Sequence, residues 1–258
     1  MMPVKVLFLG TGTSHGVPMI GCECAVCRST DPRDSRLRPS IYLECDDGMR
    51  VLVDTSPDLR QQALRHRLNR LDAVFYTHPH ADHILGLDEL RRYNHMTRSA
   101  LPLYGDADTL ADIRRMFSYA FEPGTQKGGG VPHLHLNTIV GPFCLGRTEI
   151  QPLKVLHGGR PVLGFRIGGF AYLTDCNEIP DETMAQLDGL DVLVLDALRR
   201  KRHPTHFSID EAVAIAQRLG PRQTLFTHCC HDLSHAETCG SLPAGMALAY
   251  DGLQIACR

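Results

Sequence analysis

The segment His78-Pro79-His80-Ala81-Asp82-His83 constrains this chain more than any other part of it. Three imidazoles and a carboxylate crowd into one loop, directly after the apolar run Ala73–Thr77, which reads as a β-strand. Such a set is costly in a tight loop unless something binds it, and neutral imidazole and carboxylate are the usual ligands of Zn²⁺, Mn²⁺ or Fe²⁺. Alternation along an extended segment turns His78 and His80 toward one ion, and the bend that follows lets Asp82 and His83 face a second. Further ligands should then come from the ends of other strands on the same edge. His157 ends the apolar run Ile150–Leu156, Asp175 ends Phe170–Thr174, and His228 ends Thr224–Thr227. A carboxylate at Asp175 suits a bridge between ions about 3.5–4 Å apart.

The rest of the chain fits a layered α/β protein. Short apolar runs at Val4–Leu9, Ile41–Cys45, Val51–Val53, Leu101–Tyr104 and Val192–Leu195 predict further strands. Residues 247–250 and 253–255, joined by Asp251-Gly252, predict a hairpin. Helical periodicity marks Leu59–Leu68, Leu85–Tyr93, Leu110–Phe117, Glu182–Leu187 and Ile209–Leu219. The last opens on a capping box, Ser208 with Glu211, and Gly220 follows it. Strands come first and then alternate with helices, which excludes an all-β sandwich. The turn Gly10-Thr11-Gly12-Thr13-Ser14-His15-Gly16 has its third glycine one position late for a dinucleotide loop, and Pro18 stands where a helix should begin. It reads as a turn in which the backbone passes close to a neighbour. The longest loop-like stretch, Glu122 to Pro132 with Gly128-Gly129-Gly130, reads as a surface connection, with a flap over a site as the alternative.

Composition, 43% hydrophobic and 22% charged, suits a core-forming protein, and nothing marks a boundary, so residues 1–258 are expected to form a single domain. A formal charge of −2 argues against electrostatic capture of nucleic acid. No run approaches the roughly 20 apolar residues of a membrane helix, and the apolar run before Gly10 is too short for a signal-peptide core, which predicts a cytoplasmic protein without membrane contact. Ten cysteines in that reducing setting read as metal ligands before disulfides. Cys22, Cys24 and Cys27 give a C-x-C-x-x-C spacing suited to a structural Zn²⁺ that needs a fourth ligand. His231, three residues past His228, is the first choice; Cys229, Cys230, His235 and Cys239 compete.

These motifs resemble those of the metallo-β-lactamase superfamily. The resemblance spans most of the chain and implies a four-layer αββα sandwich. It implies one ion on His78, His80 and His157, another on Asp82, His83 and His228, and Asp175 between them; Asp54 would orient the ligand loop without binding metal. True β-lactamases of this fold usually carry a cysteine where Asp175 stands, which argues against antibiotic hydrolysis. The glycine turn, the cysteine knot and the metal motifs together look like the phosphodiesterases that open phosphoribosyl 1,2-cyclic phosphate in bacterial phosphonate breakdown. That likeness implies zinc on Cys22, Cys24, Cys27 and His231, His206 as the acid–base histidine, and a homodimer.

The expected chemistry is hydrolysis of a small phosphodiester, foremost a cyclic one, by a hydroxide held between two divalent ions (Zn, Mn or Fe), with His206 protonating the leaving oxygen and Asp82 at the catalytic centre. The basic run Arg199-Arg200-Lys201-Arg202 reads either as a hold on a terminal phosphate or as a solvated face. Three alternatives stand. A tRNA 3′-end endonuclease would carry an arm between His157 and Asp175, where only 18 positions separate the two. A thioester or lactone hydrolase would share the dinuclear centre. A non-catalytic metal-binding relative, such as the carrier-like protein of pyrroloquinoline quinone synthesis, would have an eroded ligand set.

Overall fold

A computed structural model describes residues 4–122, 124 and 130–257. Most of the Glu122–Pro132 connection therefore lies outside the described residues. Two seven-stranded sheets stack face to face. The first holds β1 (Val4–Gly10), β2 (Ser40–Glu44), β3 (Arg50–Val53), β4 (Ala73–Phe75), β5 (Leu101–Gly105), β6 (Leu134–Thr138) and β14 (Gln254–Cys257), in the order β14-β1-β2-β3-β4-β5-β6. The second holds β7 (Phe143–Leu145), β8 (Thr148–His157), β9 (Arg160–Ile167), β10 (Phe170–Leu173), β11 (Val192–Asp196), β12 (Gln223–Thr227) and β13 (Met246–Leu248), in the order β13-β12-β11-β10-β9-β8-β7.

The strands alternate as the pleat requires. Val51 and Val53 point between the sheets while Leu52 points out; Val192 and Val194 do the same against Leu193 and Leu195. The inner layer is closed by Phe8, Phe75, Phe165, Phe170 and Tyr172. Outside the first sheet, Leu59 of α1 (Leu59–His66), Ile84 of α2 (Ala81–Ile84), Tyr93 of α3 (Arg91–Thr97) and Ile113 of α4 (Ala107–Met116) cover Leu52, Val74 and Leu103. The small α5 (Ser118–Phe121) follows. Outside the second sheet, Met184 of α6 (Asp181–Ala185) and Ile209, Ala212 and Ala216 of α7 (Ile209–Leu219) cover Leu173, Leu193 and Leu195. α8 (His235–Ser241) packs beside β13. The four layers are those of an αββα sandwich, and among the described residues no helix is long and apolar enough to cross a membrane.

Helix α7 has the expected bounds and both halves of its capping box. Two expectations fail. No continuous helix spans Leu85–Tyr93: α2 ends at Ile84, a 3-10 turn covers Leu87–Leu90 and α3 begins at Arg91. Gly86 stands at the break: a Cβ there would fall 2.0 Å from the Ser56 carbonyl oxygen, so the turn leading into α1 packs against the backbone at that point. The hairpin at Asp251-Gly252 is also absent. β13 pairs with β12 and β14 with β1, so the turn carries the chain from one sheet to the other. Buried Asp251 anchors that crossing, accepting from the Thr11 amide, the Thr11 hydroxyl and the Leu37 amide at 2.7–2.9 Å.

Strand direction is what builds the site. β3 to β6 run parallel, as do β10 to β13, and β8 shares β10's direction across antiparallel β9. Their carboxyl ends meet at one edge. The glycine turn approaches the chain there: a Cβ on Gly10 would lie 1.9 Å from the Arg38 carbonyl oxygen, and one on Gly12 2.8 Å from that of Arg36. Gly10→Ala is therefore expected to destabilise the fold by about 2–4 kcal/mol through forced backbone displacement, read as a fall in the thermal midpoint.

Candidate active site

Each strand end delivers one polar group, and at three of them the chain adopts a backbone that side-chained residues avoid. Asp54 after β3, Asp175 just past β10 and His228 after β12 have φ of 64°, 52° and 61°. Non-glycine residues in this region cost about 1–3 kcal/mol each and are kept where surrounding structure enforces them.

Asp54 organises the first half of the site. It is fully buried and accepts from the Thr77 amide (2.8 Å), the Thr77 hydroxyl (2.8 Å) and His83 Nδ1 (2.7 Å). With its proton given to Asp54, the Thr77 oxygen accepts from His78 Nδ1 at 2.9 Å. Both imidazoles thus commit Nδ1 to the scaffold and present Nε2. His157 does the same, giving Nδ1 to the Thr205 carbonyl at 2.8 Å. A ligand histidine needs this restraint, since the partner on one nitrogen fixes the lone pair on the other.

Asp175 stands between two compact groups of ligand atoms. Its Oδ1 lies 2.9 Å from His228 Nε2 and 3.4 Å from His83 Nε2; its Oδ2 lies 3.5 Å from His78 Nε2. Asp82, His83, Asp175 and His228 form one group and His78, His80 and Asp175 the other. His157 stays outside both, its ring 5.2 Å from that of His80 and 5.7 Å from that of His78.

Among the described residues, Asp82 Oδ2, His83 Nε2 and His228 Nε2 are buried without a well-aligned hydrogen bond, although they crowd within 2.9–3.6 Å of carboxylate or imidazole atoms of the same cluster. Orphaned polar atoms at this depth cost about 1–3 kcal/mol each, so their convergence fits cations. Burial holds His78, His80 and His157 below the usual imidazole range, the neutral form a metal takes. Burial also disfavours charge on His83 and His228, yet Asp175 leads a set of carboxylates that outweighs it, holding His83 well above its usual range and pushing His228 up to about 10. Asp82 and Asp175 are held well below theirs, because His83 and His228 overcome the same burial. Protons thus stand where cations would, and the residues fit a pair of divalent ions.

Sequence reasoning missed Asp196. It ends β11 inside an otherwise apolar run and is fully buried. Its carboxylate accepts from the Phe207 amide at 3.1 Å and faces His206 Nδ1 at 3.3 Å. His206 is itself buried, stacked on His228 (ring centroids 4.8 Å apart, planes 13°) and edge-on to His157 at 4.7 Å. A lone charge closing a strand of five buried residues was the available signal.

The cysteine knot is a separate cluster. Sγ atoms of Cys22, Cys24 and Cys27 lie 3.2, 3.4 and 3.6 Å from His231 Nδ1. The four suit tetrahedral zinc. The other candidates for the fourth position point elsewhere: Cys229 Sγ to the Phe226 carbonyl, Cys230 Sγ to the Asp232 amide, and His235 and Cys239 to one another. The Cys27 amide above all holds the Cys24 thiol near 6, a thiolate at neutral pH.

The αββα sandwich and an edge site of this composition define a metal-dependent hydrolase. A profile of the beta-lactamase superfamily domain matches residues 49–229, and the chain belongs to that superfamily. A PhnP-family diphosphatase of known structure is 45% identical, with a TM-score of 0.93 over 99% of this chain and 98% of its own. An octanoyltransferase of Porphyromonas gingivalis is 38% identical over 97% of this chain; the chain spans about half (51%) of that protein's length. A coenzyme PQQ synthesis protein B of Methylorubrum extorquens is 35% identical over 75% of this chain and 72% of its own.

Two outcomes are expected. Asp54→Ala, which frees His83 and Thr77 together, should weaken divalent-ion retention about 10- to 100-fold, measured by metal analysis after dialysis. Ion uptake at pH 7 by protein that keeps only the ion on its cysteines should release on the order of one or two protons, from His83 and His228, and should weaken as pH falls. Calorimetry in two buffers of different ionisation enthalpy reads both.

Proposed function

We propose that this hydrolase cleaves P–O bonds in small phosphodiesters, foremost cyclic ones such as a ribosyl 1,2-cyclic phosphate. The observation that carries the reading is His206, buried against both His157 and His228 with Asp196 behind it. An alkoxide leaving from phosphorus needs a proton, whereas a thiolate leaving from a thioester departs without one. His206 lies in reach of the ligand cluster, and Asp196, facing Nδ1, would orient the ring and stabilise the imidazolium whose Nε2–H donates to the leaving oxygen. His78, His80 and His157 would hold one divalent ion, Asp82, His83 and His228 another, with Asp175 shared. When bound, such a pair supplies activated water near neutral pH and offsets charge on phosphoryl oxygens. Cys22, Cys24, Cys27 and His231 would hold a structural zinc, so about three ions per chain are expected.

The name of the 45%-identical diphosphatase favours one second reading, a phosphoanhydride in place of the diester, with the same residues in the same roles. An RNA-gripping arm has no place between His157 and Asp175, since β9, β10 and their glycine turns at Gly158-Gly159 and Gly168-Gly169 occupy the interval.

A panel decides: bis(4-nitrophenyl) phosphate, cyclic and linear phosphodiesters, nucleoside diphosphate conjugates, acylated thiols, lactones and precursor tRNA. Turnover confined to thioesters or lactones would remove the proposal. His206→Ala should keep its metal content and lose about 10²- to 10⁴-fold in kcat on phosphodiesters. Asp196→Asn should lose less and move the pH–rate profile, because it acts through His206.

A further inference from the structure

Asp251 belongs to none of the metal-ligand groups; it lies in the segment that crosses from β13 to β14. That segment is tied to both sheets through its backbone. The Ala249 amide donates to the Phe226 carbonyl of β12 and the Gly252 amide to the Phe8 carbonyl of β1, each at 2.8 Å. Between these ties the Asp251 side chain is buried, and its two oxygens turn to different stretches of chain. Oδ1 accepts from the Thr11 amide and hydroxyl at 2.9 and 2.8 Å, and Oδ2 from the Leu37 amide at 2.7 Å. The Gly12 amide donates to the Leu37 carbonyl at 2.8 Å, which closes the ring. One carboxylate thus clamps the glycine turn to the stretch that carries Arg36. The crossing already has its backbone ties, so these three bonds fix residues 11 and 37 as well as the crossing itself.

Both clamped stretches reach the loop that carries His228. The Thr11 carbonyl accepts from the Cys229 amide at 2.9 Å, one residue past the ligand. Arg36, next to Leu37, sends Nη1 to the Cys230 carbonyl at 2.8 Å and Nη2 to that of Leu233. His228 itself stands at a φ of 61°, a backbone kept only where neighbours enforce it, with Nε2 2.9 Å from Asp175 Oδ1. We propose that Asp251 is a positioning residue for His228. By fixing Thr11 and Leu37 at once it sets where the loop after β12 stands, and with it the affinity for the ion that Asp82, His83 and His228 would hold. The ion that His78, His80 and His157 would hold depends on Asp54 and Thr77 at the other side of the site, and is independent of Asp251. The inference goes beyond the phosphoryl-cleavage reading and holds whichever bond the site opens.

Asp251→Asn keeps the side chain's size, removes its charge and sets an amide N–H against donors. Hydrogen exchange read by mass spectrometry on the full chain should show residues 224–233 exchanging about 10- to 100-fold faster, the effect of losing a charge-assisted hydrogen bond, with residues 73–84 unchanged. Titration with Zn²⁺ should show one active-site ion weakened by a similar factor and the other bound as before. Thr11→Val removes only the hydroxyl. It should give the same one-sided pattern at about 2- to 10-fold, and it carries the test where Asp251→Asn does not fold. Faster exchange in both segments, or equal weakening of both ions, would make Asp251 a general anchor of the fold and overturn the proposal. A lower thermal midpoint with exchange at 224–233 unaltered would overturn it too. Exchange needs no bound ion, so an active site that takes up none would count against the metal reading while exchange still decides this one.

Discussion

The buried carboxylate of Asp54 is the contact on which the rest of the site depends. A carboxylate without partners at that depth costs several kcal/mol, so it must be met, and the three donors that meet it all belong to the loop leaving β4. The consequence is geometric. By taking the Thr77 amide and hydroxyl together with His83 Nδ1, one side chain locks the end of β3 to the end of β4 and sets the direction of two imidazoles. His78 is aligned only indirectly, through the Thr77 hydroxyl. The segment His78–His83, an extended start that runs into the single turn of α2, acquires rigidity from its neighbour strand.

The sandwich makes such demands affordable in conformational terms. Left-handed backbone at Asp54, Asp175 and His228 is unfavourable at each, yet all three sit one or two residues beyond strands whose last residues are buried on both faces. A strand buried on both faces does not shift to relieve a strained residue at its tip. The reversal of the chain there turns each side chain back over the sheet edge, so that groups from both sheets reach one small volume. Strain and convergence have the same origin.

How much of this could be read from the residues depends on how local each signal is. The ligand cluster was legible because His78, His80, Asp82 and His83 are crowded in sequence, and His157, Asp175 and His228 each follow an apolar run whose end is visible. The layered α/β class followed from the same runs, and the αββα order from the superfamily resemblance. Helix α7 was legible down to its caps, which are purely local. The remainder depends on tertiary context. Leu134–Thr138 and Arg160–Ile167 are half-exposed strands with mixed polar positions, so their pattern is weak. The Asp251-Gly252 turn has the residues of a hairpin, but each flanking strand finds its partner in a different sheet, which no local pattern reports. The helix break stands at Gly86, which packs against Ser56, thirty positions earlier. Asp196 escaped notice because a single acid ending a buried strand gains meaning only once His206 is seen beside it.

The loop that carries His228 shows how a distant part of the chain enters the chemistry. The Cys229 amide donates to the Thr11 carbonyl at 2.9 Å, so the glycine turn after β1 flanks His228 directly. Arg36, wholly enclosed, sends Nη1 to the Cys230 carbonyl and Nη2 to the carbonyl of Leu233, with Asp34 beside it. His231 closes the cysteine knot. Four residues between 229 and 233 are thus held from positions 11–36. Helix and sheet packing alone would leave this loop held only at its two ends, with His228 in a strained backbone between them. The N-terminal segment therefore acts as a brace: it converts the energy of a buried guanidinium and a thiol cluster into a fixed position for one imidazole. A knot that touches no ligand atom of the candidate active site can govern that site because it removes the freedom through which His228 would otherwise relax.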